Sequence, residues 1–358
     1  MSVLRDLYRG STRFDFVGNR RRWFTISAVI VLLSLASLVF RQLNLGVDFE
    51  GGTLVEVENP AGASVGDVRD VLSSLGLEGA KVQSTGGGAG LRVQTEQLLP
   101  DAEQELVEGL AAVAGVDPTE ANRQSVGPTF GQQVTNSAIR ALVVFLIVVG
   151  LFIAWRLEWR MAFAALLALV HDLMFTAGIY SIVGFEVTPA TVIAILTIMG
   201  YSLYDTVVVF DKVLENIKER GDRHTISAII NRSMNQVIMR SVNTSLTSLL
   251  PIGSLLFVGS FLLGAATLRE FALALFIGVA VGTYSSIFLA APVLAIWKER
   301  EEHWQRIRRR VERKGADDDF AIRGIVPAGA AAAQAQPVSS AAVTGAVPRP
   351  PRKRRRRR

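Results

Sequence analysis

Six long stretches of the chain carry almost no charge, and this feature restricts the fold more than any other. As helices they are long enough to cross about 30 Å of hydrocarbon, which takes roughly 20 residues. Backbone amides inside lipid must be satisfied within their own segment, so single runs of this kind are helical. We therefore expect a polytopic α-helical membrane protein. The six predicted spans are Trp23–Phe40, Ile139–Trp155, Met161–Phe185, Pro189–Phe210, Val242–Leu263 and Phe271–Trp297.

The composition supports the prediction of a membrane protein. Half of the residues (50%) are hydrophobic and only 20% are charged, whereas soluble domains carry about a quarter charged residues. This excludes an ordinary cytosolic enzyme, a coiled coil and a disordered protein. The sequence has no cysteine and only 3 histidines, so disulfides are impossible and we expect no metal site. We also expect no cofactor and no enzymatic activity.

Lysine and arginine are distributed unevenly along the chain. Residues 1–22 contain six arginines, and the tail that starts at residue 299 is also strongly basic. Residues 41–137 contain five Lys/Arg against fourteen Asp/Glu. Positive segments stay in the cytoplasm. The pattern predicts a cytoplasmic N-terminus (1–22), an uncleaved first helix (23–40), an outer segment (41–137), a bundle of five helices (138–298) and a cytoplasmic tail (299–358).

The outer segment is long enough for a small domain, and its patterns alternate between strand and helix. The order β-α-β-β-α-β is typical of a ferredoxin-like α+β sandwich, an antiparallel sheet with helices on one face. The predicted elements are strand Thr53–Glu58, helix Ser64–Gly76, strands Ala80–Thr85 and Gly90–Thr95, helix Pro100–Ala114 and strand Ala121–Val126.

The tail changes composition at about residue 315, where Ala, Pro, Val and Gln replace the apolar and charged mixture. Such a segment buries no core, so we expect it to be disordered. It ends in a basic run over Arg352–Arg358. That run fits contact with anionic lipid or with the ribosome's RNA, and it fits equally well a solvated determinant of topology.

A few ionisable residues interrupt the spans, and they are the candidate functional residues. A carboxylate at the bilayer centre costs about 2.5–3.5 kcal/mol, so Asp205 must face the bundle interior or water. Arg240 and Thr244 lie one turn apart on one face of the next span. These three residues fit a proton relay or a static polar pair. The pair His171 and Asp172 fits a supporting part of the relay or a structural set of hydrogen bonds.

Five motifs resemble those of the SecF family of the bacterial protein-export machinery, a branch of the resistance-nodulation-division superfamily. The likeness covers roughly residues 14–298. Two positions depart from the family pattern, which has Asn in place of Tyr204 and Arg in place of Leu214. The motifs are Val47–Thr53, which contains Asp48, Phe49, Gly51 and Gly52 outside the first span, then Ser125–Gly131, His171–Asp172, Gly200–Thr206 and Gly282–Phe288.

This resemblance implies a function and a set of partners. It implies an accessory subunit that forms a heteromer with SecD, associates with the SecYEG channel and acts on unfolded preproteins. The proton motive force would drive late steps of export across the bacterial cytoplasmic membrane. The family's proton pathway carries over onto Asp205, Arg240 and Thr244, with a further carboxylate supplied by the partner.

Two other functions also fit the sequence. One is a subunit of a proton-coupled small-molecule or lipid exporter of the same superfamily, although such exporters usually carry twelve spans in one chain. The other is a purely structural membrane scaffold, in which the polar residues only join helices.

Overall fold

The computed structural model describes residues 14–261 and 266–312. The strands are β1 (Asn44–Leu45), β2 (Gly52–Glu58), β3 (Lys81–Thr85), β4 (Gly90–Thr95), β5 (Asn122–Val126) and β6 (Glu186–Val187). The helices are α1 (Arg20–Phe40), α2 (Val47–Glu50), α3 (Val65–Ser74), α4 (Pro100–Ala114), α5 (Pro128–Arg156), α6 (Trp159–Val183), α7 (Pro189–Arg220), α8 (Ile226–Phe261), α9 (Ala266–Ser285), α10 (Ala291–Glu299) and α11 (Glu302–Glu312).

Six helices of the described residues are long and apolar enough to cross a membrane, as the sequence predicted. They are α1, α5, α6, α7, α8 and the continuous helix formed by α9 and α10, which a π-helical turn over Ser286–Ala290 joins. Three of them extend well past the predicted spans. Helix α5 already begins at Pro128, α7 continues beyond Phe210 to Arg220, and α8 already begins at Ile226. Polar residues in the extensions of α7 and α8 are hydrogen-bonded to one another: Nδ2 of the buried Asn216 on α7 donates to the Ser233 hydroxyl and to Gln236 Oε1 of α8, both at 2.7 Å.

Three predictions fall partly or wholly on residues that the structure does not describe. The predicted fifth span ends at Leu263, which lies in the gap between the two described ranges. The predicted disordered, basic tail from about residue 315 lies outside them altogether, as do residues 1–13 of the predicted N-terminal segment.

The segment between α1 and α5 forms the predicted ferredoxin-like domain, here called the outer domain. Its four strands lie in the order β3-β4-β2-β5, and all neighbours are antiparallel. Helices α3 and α4 cover one face of the sheet, and the core lies between. A Leu or Val side chain that is fully buried there contributes about 1.5–3 kcal/mol. The buried core residues are Val55, Val57, Val68, Leu72, Leu91, Val93, Leu106, Val107, Leu110 and Ala114.

Local sequence signals explain why these elements begin and end where they do. Ser64 caps α3, because its hydroxyl accepts a hydrogen bond from the Asp67 amide while the Asp67 carboxylate accepts one from the Ser64 amide. Gly76 follows the helix with φ +71°, a conformation that favours glycine. The hairpin from β3 to β4 turns through three glycines, Gly86–Gly88, all with positive φ.

The end of the bundle away from the outer domain is closed by ion pairs and by α11. Arg20 at the start of α1 pairs with Glu299 at 3.1 Å, and the buried Lys298 pairs with Glu158 at 2.6 Å. Helix α11 is amphipathic and packs its apolar side on the bundle core. The buried residues of that side are Trp304, Ile307 and Val311.

Candidate functional site

Asp205 lies on α7 with only 7% of its surface exposed, facing α8 and α9. This is the burial that the sequence predicted for a carboxylate inside a span. Asp211, further along the same helix, is exposed. A small pocket opens beside Asp205, between the three helices. Its other lining residues are Tyr201, Ser202, Tyr204, Thr244, Ser245, Val279, Gly282 and Thr283.

No hydrogen bond of normal geometry and no ion pair holds the Asp205 carboxyl within the described part of the chain. The Ser241 hydroxyl and the Arg240 guanidinium of α8 are close enough to act on it electrostatically. The Ser241 Oγ is itself buried and has no hydrogen-bond partner among the described residues. The carboxyl is therefore buried next to polar groups without being fixed by them.

Arg240 and Thr244 lie beside Asp205, although their hydrogen bonds go elsewhere. Arg240 Nη2 donates to the Tyr204 hydroxyl at 2.9 Å, and its guanidinium carbon lies 5.9 Å from the centre of the Tyr204 ring. Thr244 Oγ1 donates to the Arg240 carbonyl oxygen at 2.8 Å. Tyr204, one of the two departures from the family pattern, is thus the residue that positions Arg240. At the other departure, Leu214 packs against the bundle core.

The side of α7 and α8 that carries these residues is open. Tyr204 is 53% exposed and Tyr201 is 44% exposed, Arg240 is exposed as well, and Thr244 is partly exposed. Beyond Tyr204 an open cavity of about 490 Å³ leads towards the charged end of α7. Its polar and charged lining residues are Arg156, Tyr204, Asp211, Lys212, Glu215 and Arg240. Asp205 therefore lies behind a polar face that no described residue covers.

His171 and Asp172 form a separate polar cluster, between α6, α7 and the helix formed by α9 and α10. Both are buried, with 6% and 2% of their surface exposed. Ser202 Oγ donates to Asp172 Oδ2 at 2.6 Å, and His171 Nδ1 lies 3.4 Å from Asp172 Oδ1. Ser202 is one helical turn before Asp205, so it stands between the two aspartates.

Further hydroxyl groups extend this cluster towards the π-helical turn. Thr206 Oγ1 donates to Ser286 Oγ at 3.1 Å, and Ser286 Oγ donates to the carbonyl oxygens of Ser202 and Gly282. Ser202, Thr206 and Ser286 were not among the predicted site residues. The spacing of Ser202 and Thr206, four residues apart on one face of α7, is a sequence signal that points to these two.

The predicted motif outside the first span lies away from Asp205. Its two glycines allow close backbone contacts with the start of α5 and with the end of β4. Gly51 has φ +79°, and a Cβ there would lie 2.7 Å from Pro128 Cα. Gly52 has φ +124°, and its Cβ would lie 2.3 Å from the Thr95 carbonyl oxygen. Only glycine fits either position. The motif therefore packs against the start of α5.

Asp48 and Phe49 of this motif stabilise the same region. Asp48 Oδ1 accepts a hydrogen bond from Gln124 Nε2 at 2.8 Å, which ties α2 to strand β5. Phe49 is 8% exposed and packs beneath the outer domain. Within the described residues, no group of three or more His, Asp or Glu side chains is placed to hold a metal ion.

Comparisons with known proteins add family information. The family model "Protein export membrane protein SecD/SecF, C-terminal" matches residues 107–300, and the "SecD/SecF GG Motif" matches residues 36–58. The chain is 41% identical over 312 residues to protein translocase subunit SecF of Streptomyces coelicolor, covering 87% of this chain and 83% of that one. It is 43% identical over 349 residues to the SecF of Mycobacterium tuberculosis, covering 92% and 78%.

Longer relatives match over part of their length. Protein translocase subunit SecDF of Thermus thermophilus is 37% identical over 298 residues, which are 81% of this chain and 39% of the relative. The crystal structure of SecDF from Thermus thermophilus, described as a translocon-associated membrane protein, superposes with a TM-score of 0.72 at 34% identity, covering 81% of this chain and 39% of that chain. This chain thus spans about two fifths of the SecDF polypeptides.

Proposed function

Because the chain belongs to the SecF family of protein translocase subunits, we propose that it couples the proton motive force to late steps of preprotein export across the cytoplasmic membrane. Its relatives are named as translocase subunits, which favours this function over a small-molecule exporter or a scaffold. In this role the chain is a non-enzymatic accessory subunit. It works by changing shape as protons pass, without making or breaking covalent bonds in the preprotein.

The Asp205 carboxyl is the observation that carries the proposal. It is buried, and within the described residues only weak interactions act on it, from the nearby Ser241 hydroxyl and from the charge of Arg240. A charged carboxylate in such surroundings is costly, so its proton occupancy responds when neighbouring groups move. Arg240 and Thr244 stand on the adjacent helix and would adjust the charge around it. These three residues form this chain's half of the proton pathway.

The exposed polar face of α7 and α8 supports a membrane-embedded partner. Polar and charged side chains inside spans face protein or water, because contact with lipid is costly. Tyr201, Tyr204 and Arg240 are exposed among the described residues, and Thr244 is only partly covered. We assign SecD as the partner that covers them and supplies the second carboxylate, because the SecDF relatives carry further sequence in the same polypeptide. The SecYEG channel and unfolded preproteins complete the assembly.

The proposed orientation follows the charge pattern of the sequence. Both termini lie in the cytoplasm, and the outer domain lies on the far side of the cytoplasmic membrane. The outer domain then meets preprotein as it emerges, while the polar face of α7 and α8 passes protons inward.

The substitution Asp205→Asn tests the proton role, because it keeps the shape and hydrogen bonding of the side chain and removes its titration. In cells that depend on this subunit, we expect preprotein release under an energised membrane to fall to the level seen without the subunit. Co-purification with SecD should remain normal. Asp211→Asn, an exposed position on the same helix, is the matched control and should secrete normally. Normal secretion by the Asp205→Asn variant would show that the chain does not act through a proton at this site.

A further inference from the structure

One arginine of the outer domain lies among three glutamates from different parts of the fold. Arg92 on β4 has its Nε 2.5 Å from Glu56 Oε1 on β2, and its Nη1 bonds to Glu186 on β6. Its Nη2 lies 3.7 Å from Glu270 Oε1 on α9. Only 11% of the Arg92 side chain and 7% of the Glu186 side chain are exposed. The cluster is therefore enclosed between the outer domain and the membrane helices.

This cluster has more negative than positive charges. Beneath the sheet it lines a cavity of about 280 Å³, to which Asp48 of α2 also contributes a carboxyl. Arg269 of α9 is the other cation that acts on Glu270. Four carboxyl groups thus share two guanidinium groups, so Arg92 cannot fully neutralise all of its neighbours. A change in the charge or position of any one of them redistributes the pairing of Arg92 among the others.

Two of the three glutamates around Arg92 lie at or near the starts of helices that form the Asp205 site. Glu186 on β6 lies three residues before Pro189, the first residue of α7, which carries Asp205. Glu270 lies near the start of α9, the helix that supplies Gly282 and Thr283 to the pocket around Asp205. From Pro189 to Asp205 is about 24 Å of continuous helix, long enough to carry a movement from the pocket to Glu186.

We propose that Arg92 is the positioning residue that transmits movement of α7 and α9 to the outer domain. This rests on the proposed function, since it requires the Asp205 region to change shape during proton passage. Because Glu186 and Glu270 are attached to different helices, a shift of α7 relative to α9 changes the position of one carboxylate relative to the other around Arg92. The guanidinium follows the closer carboxylates and moves the sheet with it. Arginine suits this role because it stays charged and presents five donors in a rigid plane.

The test compares proton flux with preprotein transport in vesicles that contain the complete complex with SecD. In the Arg92→Gln variant we expect proton flux to stay near the wild-type rate while transport falls roughly tenfold, within the range of ordinary coupling between sites. Arg123→Gln is the matched control. Arg123 lies on the same sheet and is exposed, with a single 3.5 Å hydrogen bond to Gln104, and both rates should be unchanged.

The two rates separate this proposal from the proposed function. If Arg92→Gln lowers flux and transport together, or changes neither, Arg92 does not act as the transmitting residue. If wild-type vesicles show no proton flux that depends on Asp205, the proposed function fails instead. A misfolded variant would lose both rates, so Arg92→Lys is measured alongside. It keeps the charge and should recover part of the transport at full flux.

A distance measurement tests the same proposal without any activity. The chain has no cysteine, so spin labels can be placed at Ser73→Cys in the outer domain and Val183→Cys at the end of α6, both exposed. We expect the distribution of distances between the two labels to be narrow in the chain with Arg92, broad in the Arg92→Gln variant and intermediate in the Arg92→Lys variant. Equal distributions in all three would overturn the proposal.

Discussion

The membrane bundle holds two buried aspartates, and they differ in what surrounds the carboxyl group. Asp172 accepts a 2.6 Å hydrogen bond from Ser202 and lies beside His171. Asp205, one turn beyond Ser202 on α7, has no such bond within the described residues and opens towards an exposed polar face. The two regions contain the same residue type at similar burial. Only the Asp205 carboxyl is free to change its position or its proton occupancy when neighbouring groups move.

This difference suggests how a membrane protein can use one polar residue for packing and another for function. The hydroxyl groups around Asp172 satisfy one another across three helices, and interhelical hydrogen bonds in membranes contribute roughly 0.6 kcal/mol each on average. Together they join α6, α7 and the π-helical turn that follows α9. Asp205 lies next to that cluster, on the side of α7 that faces α8 and the proposed partner.

The largest expected effect distinguishes the two aspartates by stability. Asp172→Ala leaves the buried Ser202 hydroxyl and His171 ring without their partner, and a buried unsatisfied group costs about 1–3 kcal/mol. We expect the free energy of unfolding in detergent to fall by about 2 kcal/mol. Asp205→Ala, the matched variant, should cost much less because it breaks no hydrogen bond of normal geometry. Equal losses for both variants would remove the distinction between the two regions.

A smaller loss of stability is expected at Ser202, which lies between the two aspartates. Ser202→Ala removes the 2.6 Å bond to Asp172 but leaves His171 beside it, so we expect a loss of about 1 kcal/mol. Thr197→Ala on the same helix is the control. Its exposed hydroxyl donates only to the Ile193 carbonyl within α7. If both variants unfold alike, the bond between Ser202 and Asp172 does not stabilise the bundle.

The elements of the outer domain could be predicted almost residue by residue, because their signals are local. Alternating apolar residues set the strands, Ser64 and Asp67 set the start of α3, and the glycines after it set the turns. Strands β2 to β5 begin within one residue of the predicted positions. The sheet order then follows from the connection rules of the fold.

The contacts of the bundle could not be predicted in the same way. Helices that are apolar all round give no face that points to a neighbour, so the bond from Ser202 to Asp172 is invisible in the sequence. The resemblance pointed to Asp205 and Arg240, but it gave no reason to expect the Tyr204 hydroxyl as the partner of Arg240. The short parallel pair of β1 and β6 and the glutamates around Arg92 join segments far apart in the chain. Contacts of that kind depend on the finished packing.

Two tyrosines on α7 extend the comparison to the exposed side of Asp205, because their hydroxyl groups have different hydrogen-bond partners. Tyr204 accepts a hydrogen bond from the charged Arg240, whereas the Tyr201 hydroxyl pairs with the neutral Ser248 hydroxyl at 2.6 Å. Bonds to charged groups are stronger, so Tyr204→Phe should cost more than Tyr201→Phe, about 1 against about 0.5 kcal/mol. Thermal unfolding of the two variants measures this. A larger loss for Tyr201→Phe would mean that Arg240 finds equivalent partners elsewhere.

The smallest expected effect concerns a third aspartate, Asp67. It lies in water, so the effect of hydrogen-bond donors on the pKa of its carboxyl can be measured by titration. Asp67 in the outer domain is exposed, and the Ser64 amide and hydroxyl donate to it at 2.7 Å and 2.8 Å. These bonds hold the pKa of Asp67 below its ordinary value, with the backbone bond contributing most. Because the folded pKa is lowered, the stability that Asp67 contributes is present above its unfolded pKa and is lost as pH falls through the folded pKa.

Ser64→Ala removes the hydroxyl but keeps the backbone amide. We therefore expect the pKa of Asp67, followed by NMR in the full-length chain, to rise only part of the way to its ordinary value. The loss of stability on acidification should then be complete at a higher pH and be smaller in total. The pKa of Asp117, which is lowered by its own bonds to Thr119, should not move. An unchanged pKa at Asp67 would mean that its backbone bond alone fixes the carboxyl. The number of donors would then be a poor guide to how firmly Asp172 is held relative to Asp205.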